Sequence, residues 1–177
     1  SLTDDEPADL MKPAAGTVNA DKHYYAVWAT ESSESGTVYL YNGSFEQVTS
    51  GTEYGNKGKW TTSKVYGTGT AGEVCMSSGS ASGSMDLDLS DKTLATTITV
   101  TFKMKRYGTE AGTVTLSCVD DGSTASFGSS PFSYPSGDDN WHDYSSTVTS
   151  VNAATQSIHF TSTSGKRVYV KDVVVSQ

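Results

Sequence analysis

The side chains with most to offer chemically are rings and carboxylates at the ends of apolar runs. Tyr54 and Trp60 flank one polar loop, Tyr66 stands before Gly67, Gly69 and Gly72, Tyr107 caps a turn, and Phe132 and Tyr134 share a long loop with Asp138, Asp139 and Asn140. A ring in such a place can stack on the apolar face of a pyranose, while planar polar groups beside it bond the hydroxyls. Tyr54, Tyr107 and Tyr134 are the candidates for that contact, together with Trp60. Trp60 and Trp141 each open a strand, however, where tryptophan commonly seals the end of a core. A second feature is Asn42-Gly43-Ser44-Phe45-Glu46, which closes Val38-Tyr39-Leu40-Tyr41 and sets a carboxylate beside an aromatic anchor. A strand end of this kind can hold a structural cation or start a core. Asn42-Gly43-Ser44 is also a glycosylation sequon, meaningful only in a eukaryotic secretory setting.

Groups for acid-base or nucleophilic work are few. His23, His142 and His159 fall on different expected strands with no metal-type spacing. No Gly-x-Ser-x-Gly elbow occurs, and the many serines belong to turns and exposed strand faces. Asp86 and Asp88 share a face, but it is the polar side of an amphipathic strand, where solvated charge is the normal occupant.

The elements that must position these groups are strands. Met85, Leu87 and Leu89 alternate with Ser84, Asp86, Asp88 and Ser90; Ile98, Val100, Phe102 and Met104 alternate with threonines and Lys103 and Lys105. His23 to Ala29, Thr37 to Val48, Lys59 to Tyr66 and Thr113 to Val119 read as further strands, and Lys166 to Ser176 closes the set with Val168, Val170 and Val174 on one face. Thr49 to Gly58 reads as an exposed, mobile loop. Some ten or eleven short strands and no helical period indicate an all-β, antiparallel β-sandwich, most simply a jelly roll. Residues 1–20 carry scattered acids and Pro7 and Pro13 and read as a flexible acidic leader, with 21–177 as one sandwich domain.

Composition narrows the partners. A formal charge of −8 argues against nucleic acid, whose phosphates need clustered Lys and Arg, and weighs against acidic polymers for the same reason. No apolar run approaches the roughly 20 residues of a membrane span. The opening Ser1-Leu2-Thr3-Asp4-Asp5-Glu6 is like the tether after a lipidated Cys, so export to the cell surface, with a lipid anchor upstream of Ser1, is an expectation. Strand parity sets Cys118 inward and Cys75 on the opposite face. Sulfurs so placed cannot bridge, which favours thiols over a disulfide.

Asn42 to Glu46, Trp141-His142-Asp143-Tyr144 and Arg167 to Val175 together resemble the jelly-roll, galactose-binding-like carbohydrate-binding modules attached to bacterial polysaccharide-degrading enzymes, over about 135 residues from Val38 to the end. The resemblance implies a structural calcium held by Glu46 and Asp172, although Lys171 replaces an acid that many members carry. Residue by residue, Asp172 falls on the inward side of its strand, where a carboxylate needs a cation or hydrogen-bond donors; the alternative is that it pairs with Lys59, Lys64, Lys166 or Arg167 at the rim or caps a turn. Gln156-Ser157-Ile158-His159 is one residue too long for the Gln-x-His signature of some jelly-roll lyases, so Gln156 and His159 face opposite ways. The expected activity is therefore non-catalytic binding of a polysaccharide or other glycan by an exported module or surface lipoprotein. A structural or adhesive module would instead scatter Tyr54, Tyr107 and Tyr134, and a glycan-cleaving enzyme would gather two carboxylates in one groove.

Overall fold

The computed structural model describes residues 36–177 apart from 111, 120–123, 128, 129, 136, 137 and 153, and for 124–126 the backbone only. The acidic leader, the strand expected at His23 to Ala29 and the turn at Asp120 to Ser123 lie outside the described residues. Twelve strands among the described residues form two antiparallel sheets. The first has the order β10 (His142–Val148), β6 (Ile98–Arg106), β12 (Val168–Ser176), β4 (Glu73–Met76), β3 (Val65–Gly67), with β1 (Tyr39–Asn42) paired to the far part of β12. The second runs β2 (Trp60–Ser63), β5 (Ser84–Asp88), β11 (Ser157–Ser162), β7 (Thr113–Val119), β8 (Thr124–Ser126), with β9 (Phe132–Ser133) also on β7. The antiparallel jelly-roll sandwich is the one expected. No helix among the described residues is long and apolar enough to cross a membrane, which says nothing of a β-barrel.

Alternation accounts for the core. Ile98, Val100, Phe102 and Met104 of β6 face Met85, Leu87, Leu116, Ile158 and Phe160 of the second sheet, all of them buried. A connected series of rings crosses the interior: Phe45 lies 5.0 Å from Trp60, Trp60 5.7 Å from Phe160, and Phe160 5.9 Å from Phe102, which stacks on Tyr144 at 5.5 Å. Phe45 is thus the core anchor that its position after an apolar run suggested. Cys118 sits inside with these rings and Cys75 on the outer side of the first sheet, and both are thiols.

Four expectations need correction. Of the run Thr37 to Val48, only Tyr39–Asn42 is a strand. The run Lys59 to Tyr66 is not one strand: Lys64 adopts φ 54°, turning the chain from β2 in one sheet to β3 in the other. The loop after Val48 is not free of structure. It bonds back onto β3 through Tyr54 N to Val65 O (2.7 Å), Gly51 N to Gly67 O (3.0 Å) and Gly67 N to Thr52 O (2.8 Å). Only glycine suits position 67, because a Cβ there would stand 2.4 Å from the Val48 carbonyl oxygen.

The fourth correction concerns β12. Its register slips between Lys171 and Val174, and Asp172 takes φ 52°. This bulge reverses the parity: Val168 and Val170 point inward before it, Val173 and Val175 after it, while Val174 turns outward. Asp172 is therefore exposed, not inward as simple alternation required. Its partner is Lys103 at 3.4 Å, none of the four basic residues considered from sequence. Asp is among the few residues that tolerate the left-handed region. Asp172→Gly should leave the urea midpoint nearly unchanged, since it relieves that backbone and removes only an exposed ion pair. Asp172→Val should cost about 1–2 kcal/mol. Equal midpoints for the two variants would show that the backbone at 172 is not what the side chain must satisfy.

Candidate functional site

The outer face of the first sheet is built by residues of opposite parity to the core. Across neighbouring strands, Tyr66 stands opposite Cys75, Cys75 opposite Tyr169, and Tyr169 opposite Lys105. His142 pairs with Met104, so Trp141, one residue earlier, comes beside Lys105. With strands about 4.8 Å apart, this row runs roughly 19 Å across the sheet. That is a length suited to several linked sugars. The next row is polar: Glu73 opposite Lys171, Lys171 opposite Lys103, Lys103 opposite Asp143.

At the β3 end of the ring row the surface deepens into a groove of about 320 Å³, floored by Cys75 and walled by Tyr66, Tyr107, Arg167 and Tyr169, with Thr68 and Gly51 at its rim. Tyr107 and Tyr169 lie 5.4 Å apart, inclined by 36°, and Trp141 continues the series 6.4 Å from Tyr169. The Arg167 guanidinium covers Tyr107 at 3.7 Å and is held there by Glu110, through Nε to Oε1 (3.0 Å) and Nη2 to Oε1 (2.6 Å). The Arg167 side-chain bonds hold the Glu110 carboxyl below its ordinary value of 4.5, and Glu110 in turn raises the guanidinium. Burial pushes the Cys75 thiol up to about 11, against a smaller opposing effect of Arg167. Cys75 is thus a neutral floor at physiological pH and not a thiolate nucleophile.

Of the four residues chosen from sequence as sugar contacts, Tyr54, Trp60, Tyr107 and Tyr134, only Tyr107 lines this groove, where it is joined by Tyr66, noted from sequence as a ring before a glycine run. Trp60, at 3% exposure, belongs to the core, where its indole N–H donates to Tyr41 Oη at 2.9 Å. Tyr54, also at 3%, is drawn inward by the folded-back loop; it lies edge-on to Phe45, and its hydroxyl accepts the Glu46 N–H at 3.1 Å. Tyr134, at 4%, packs against His142 and donates its hydroxyl to the Asn140 carbonyl. A satisfied hydroxyl lets a tyrosine serve as a core residue, and loop position alone does not reveal that. So Tyr54, Tyr107 and Tyr134 do not converge. The rings that do are Tyr66, Tyr107, Trp141 and Tyr169, and Trp141 is a half-buried ring on the outer face instead of the core seal its strand-opening place suggested. Parity alone would have sent Tyr169, Lys171, Lys103 and Lys105 outward; their adjacency to Tyr66 depends on strand order.

Glu46 and Asp172, the pair expected to hold calcium, are each provided for locally. Lys57 lies 3.9 Å from Glu46 and Lys103 3.4 Å from Asp172. Among the described residues no group of three or more His, Cys, Asp or Glu is placed to hold a metal ion. Two exposed carboxylates with their own lysines do not fit a calcium site, which takes about 6–8 oxygens. The outer face of the second sheet carries one close pair, His159 Nδ1 to Asp86 Oδ1 at 2.6 Å. No Asp, Glu or His is among the residues lining the groove, all of which are described.

No protein-family model matches the chain, and no curated protein matches it in sequence. Its fold is similar to that of the CBM22-1 xylan-binding domain from Paenibacillus barcinonensis (TM-score 0.51, 13% identity, 78% of this chain and 93% of that one). It is also similar to the N-terminal endo-1,4-beta-D-xylanase 10B of Clostridium thermocellum, CBM22-1 and GH10 modules complexed with xylohexaose (0.54, 17%, 79% and 28%). A third likeness is to the K3 cleaved adhesin domain of Lys-gingipain from Porphyromonas gingivalis (0.51, 15%, 80% and 99%). Identities this low show the shared sandwich fold alone.

Two outcomes follow from these ion pairs. Because the folded-state value of Glu110 is depressed, its contribution to stability is complete above its ordinary pKa of 4.5 and is lost as pH falls through the lower folded value. Glu110→Gln should therefore lower the urea midpoint near neutral pH, and the difference from the parent should shrink on acidification below 4.5; a constant difference would mean that the carboxylate charge is irrelevant. Melting temperature should be the same in calcium as in chelator, and a rise with calcium would reinstate the ion.

Proposed function

We propose that this chain is a non-catalytic carbohydrate-binding module that takes an extended polysaccharide across the outer face of its first sheet. The observation that carries the reading is the row of Tyr66, Tyr169 and Trp141 ending in the groove beside Tyr107 and Arg167. Rings at alternate places along one line, with Cys75 and Lys105 between them, offer stacking surfaces to sugars of a single chain. The fixed guanidinium, the backbone near Gly51 and the hydroxyls of Tyr66 and Thr68 supply hydrogen-bonding groups at one end. The likeness in fold to a xylan-binding domain supports the same reading. A polysaccharide ligand lies outside the cell, so export goes with it, either on a lipid-anchored surface protein or on a larger enzyme. Catalysis of the two-carboxylate kind is set aside because no Asp, Glu or His lines the groove.

A second reading, an adhesive module that grips protein, is favoured by Val38 and Tyr39, which are 53% and 60% exposed at and beside β1. Affinity electrophoresis through gels carrying xylan, glucan, mannan and pectic polysaccharides separates the two. At least one gel should retard the protein, and Tyr169→Ala or Trp141→Ala should weaken that retention about 10- to 100-fold, the equivalent of leaving one buried ring uncovered, without lowering the melting temperature. Retention unchanged in both variants would move the site off this face, and retention by no polysaccharide would leave the adhesive reading.

A further inference from the structure

Two ammonium groups meet at one indole on this face. Lys171 Nζ stands 4.5 Å from the Trp141 ring centre, and Lys105 Nζ stands 5.5 Å from both Trp141 and Tyr169. No carboxylate among the described residues lies within 4.0 Å of either, whereas Lys57, Lys59, Lys92, Lys103, Arg106 and Arg167 each have such a partner. The nearby acids are otherwise engaged or out of reach. Asp139, which senses Lys105, is bonded to Arg106 at 2.6 Å; Asp143 and Asp172 flank Lys103 at 3.8 and 3.4 Å; Glu73 faces Lys171 across β4 without an ion pair. Lys105 and Lys171 are both half-buried, so neither is simply a solvated arm.

From this juxtaposition we infer that the polysaccharide bound here is anionic, carrying carboxylate or sulfate groups on its sugars; the inference rests on the sugar-binding reading above. Two like charges brought to one ring repel each other, and an anion between them removes that repulsion. The Lys171 ammonium lies over the Trp141 ring, 4.5 Å from its centre. A neutral pyranose brought to this ring offers that ammonium only hydroxyl partners, whereas a sugar bearing an anion stacks on the ring and pairs with the ammonium as well. The net charge of −8, which weighed against acidic polymers, does not govern this patch, because charges farther away than about 8 Å are largely screened at physiological ionic strength.

The test uses matched pairs that differ only in charge: polygalacturonate and its methyl ester, glucuronoxylan and its carboxyl-reduced form, a sulfated galactan and its desulfated form. Binding to the full chain is measured by calorimetry at rising NaCl. At least one charged member should bind about tenfold or more tighter than its neutral twin, equivalent to one good charge-assisted contact, and salt should weaken it. Lys105→Met with Lys171→Met should abolish the difference while the melting temperature holds, and Lys64→Met should keep it. Preference for the uronates or for the sulfated galactan identifies the source of the anion. Equal binding of charged and neutral members, or a charge preference that survives in the double variant, overturns the inference and leaves sugar binding standing. Binding of none of the six overturns the inference, and the sugar-binding reading falls with it only where the glucan and mannan gels also fail to retard the protein. Equal, salt-sensitive binding of a single-stranded oligonucleotide would overturn the sugar assignment and show a generic anion surface.

Discussion

The bulge at Asp172 is the constraint through which the two faces of the first sheet are reconciled. β12 is the strand that β6 follows along one edge while β4 and then β1 follow the other. An unbroken strand would keep Tyr169 and Lys171 outward only by also turning Val173 and Val175 to solvent and burying a carboxylate. One residue at φ 52° avoids both. Its cost, about 1–2 kcal/mol of backbone preference, is offset by the net burial of one more valine, Val173 and Val175 in exchange for Val174, at about 1.5–3 kcal/mol, and by keeping the carboxylate in water. The core beneath β12 and the ring row above it are thus consequences of the same irregularity.

The aromatic residues divide between these two jobs, and residue type does not foretell which ring does which. Trp60 and Tyr54 belong to the series that binds sheet to sheet, with each polar atom given a partner inside. Trp141 and Tyr169 have no such internal task and stand half-open under lysines. Rigidity separates the site further from an ordinary surface. Arg167 is fixed between a ring and a carboxylate, so a ligand that bonds it loses little side-chain freedom in doing so.

Much of the fold was legible because period-two alternation is strong in β5, β6 and β7, where each inward residue is buried. The same parity correctly separated Cys75 from Cys118. It failed at Lys64 and Asp172, where a single positive φ redirects the chain; a left-handed residue leaves no trace in hydrophobic pattern when it is not glycine. The site was less legible for a different reason. Tyr66 meets Cys75 through the local pairing of β3 with β4, but Tyr169 is brought to the other side of Cys75 by a pairing across roughly a hundred residues, and no local rule ranks that pairing above others. Tyr54 and Tyr134 misled because their loops fold onto the sandwich.

The position of β12 in the chain also bears on how the molecule is made. The strand at the middle of the first sheet is the last of the twelve described strands to be synthesised, while β1, whose one partner among the described residues is β12, is the first of them. During translation the edges of β6, β4 and β1 remain without their common partner until the final nine-residue strand emerges. Closure of the sheet is therefore dominated by long-range pairing, the regime of slow folding and exposed strand edges. A ribosome-bound chain that stops short of Val168 would present those edges to its neighbours.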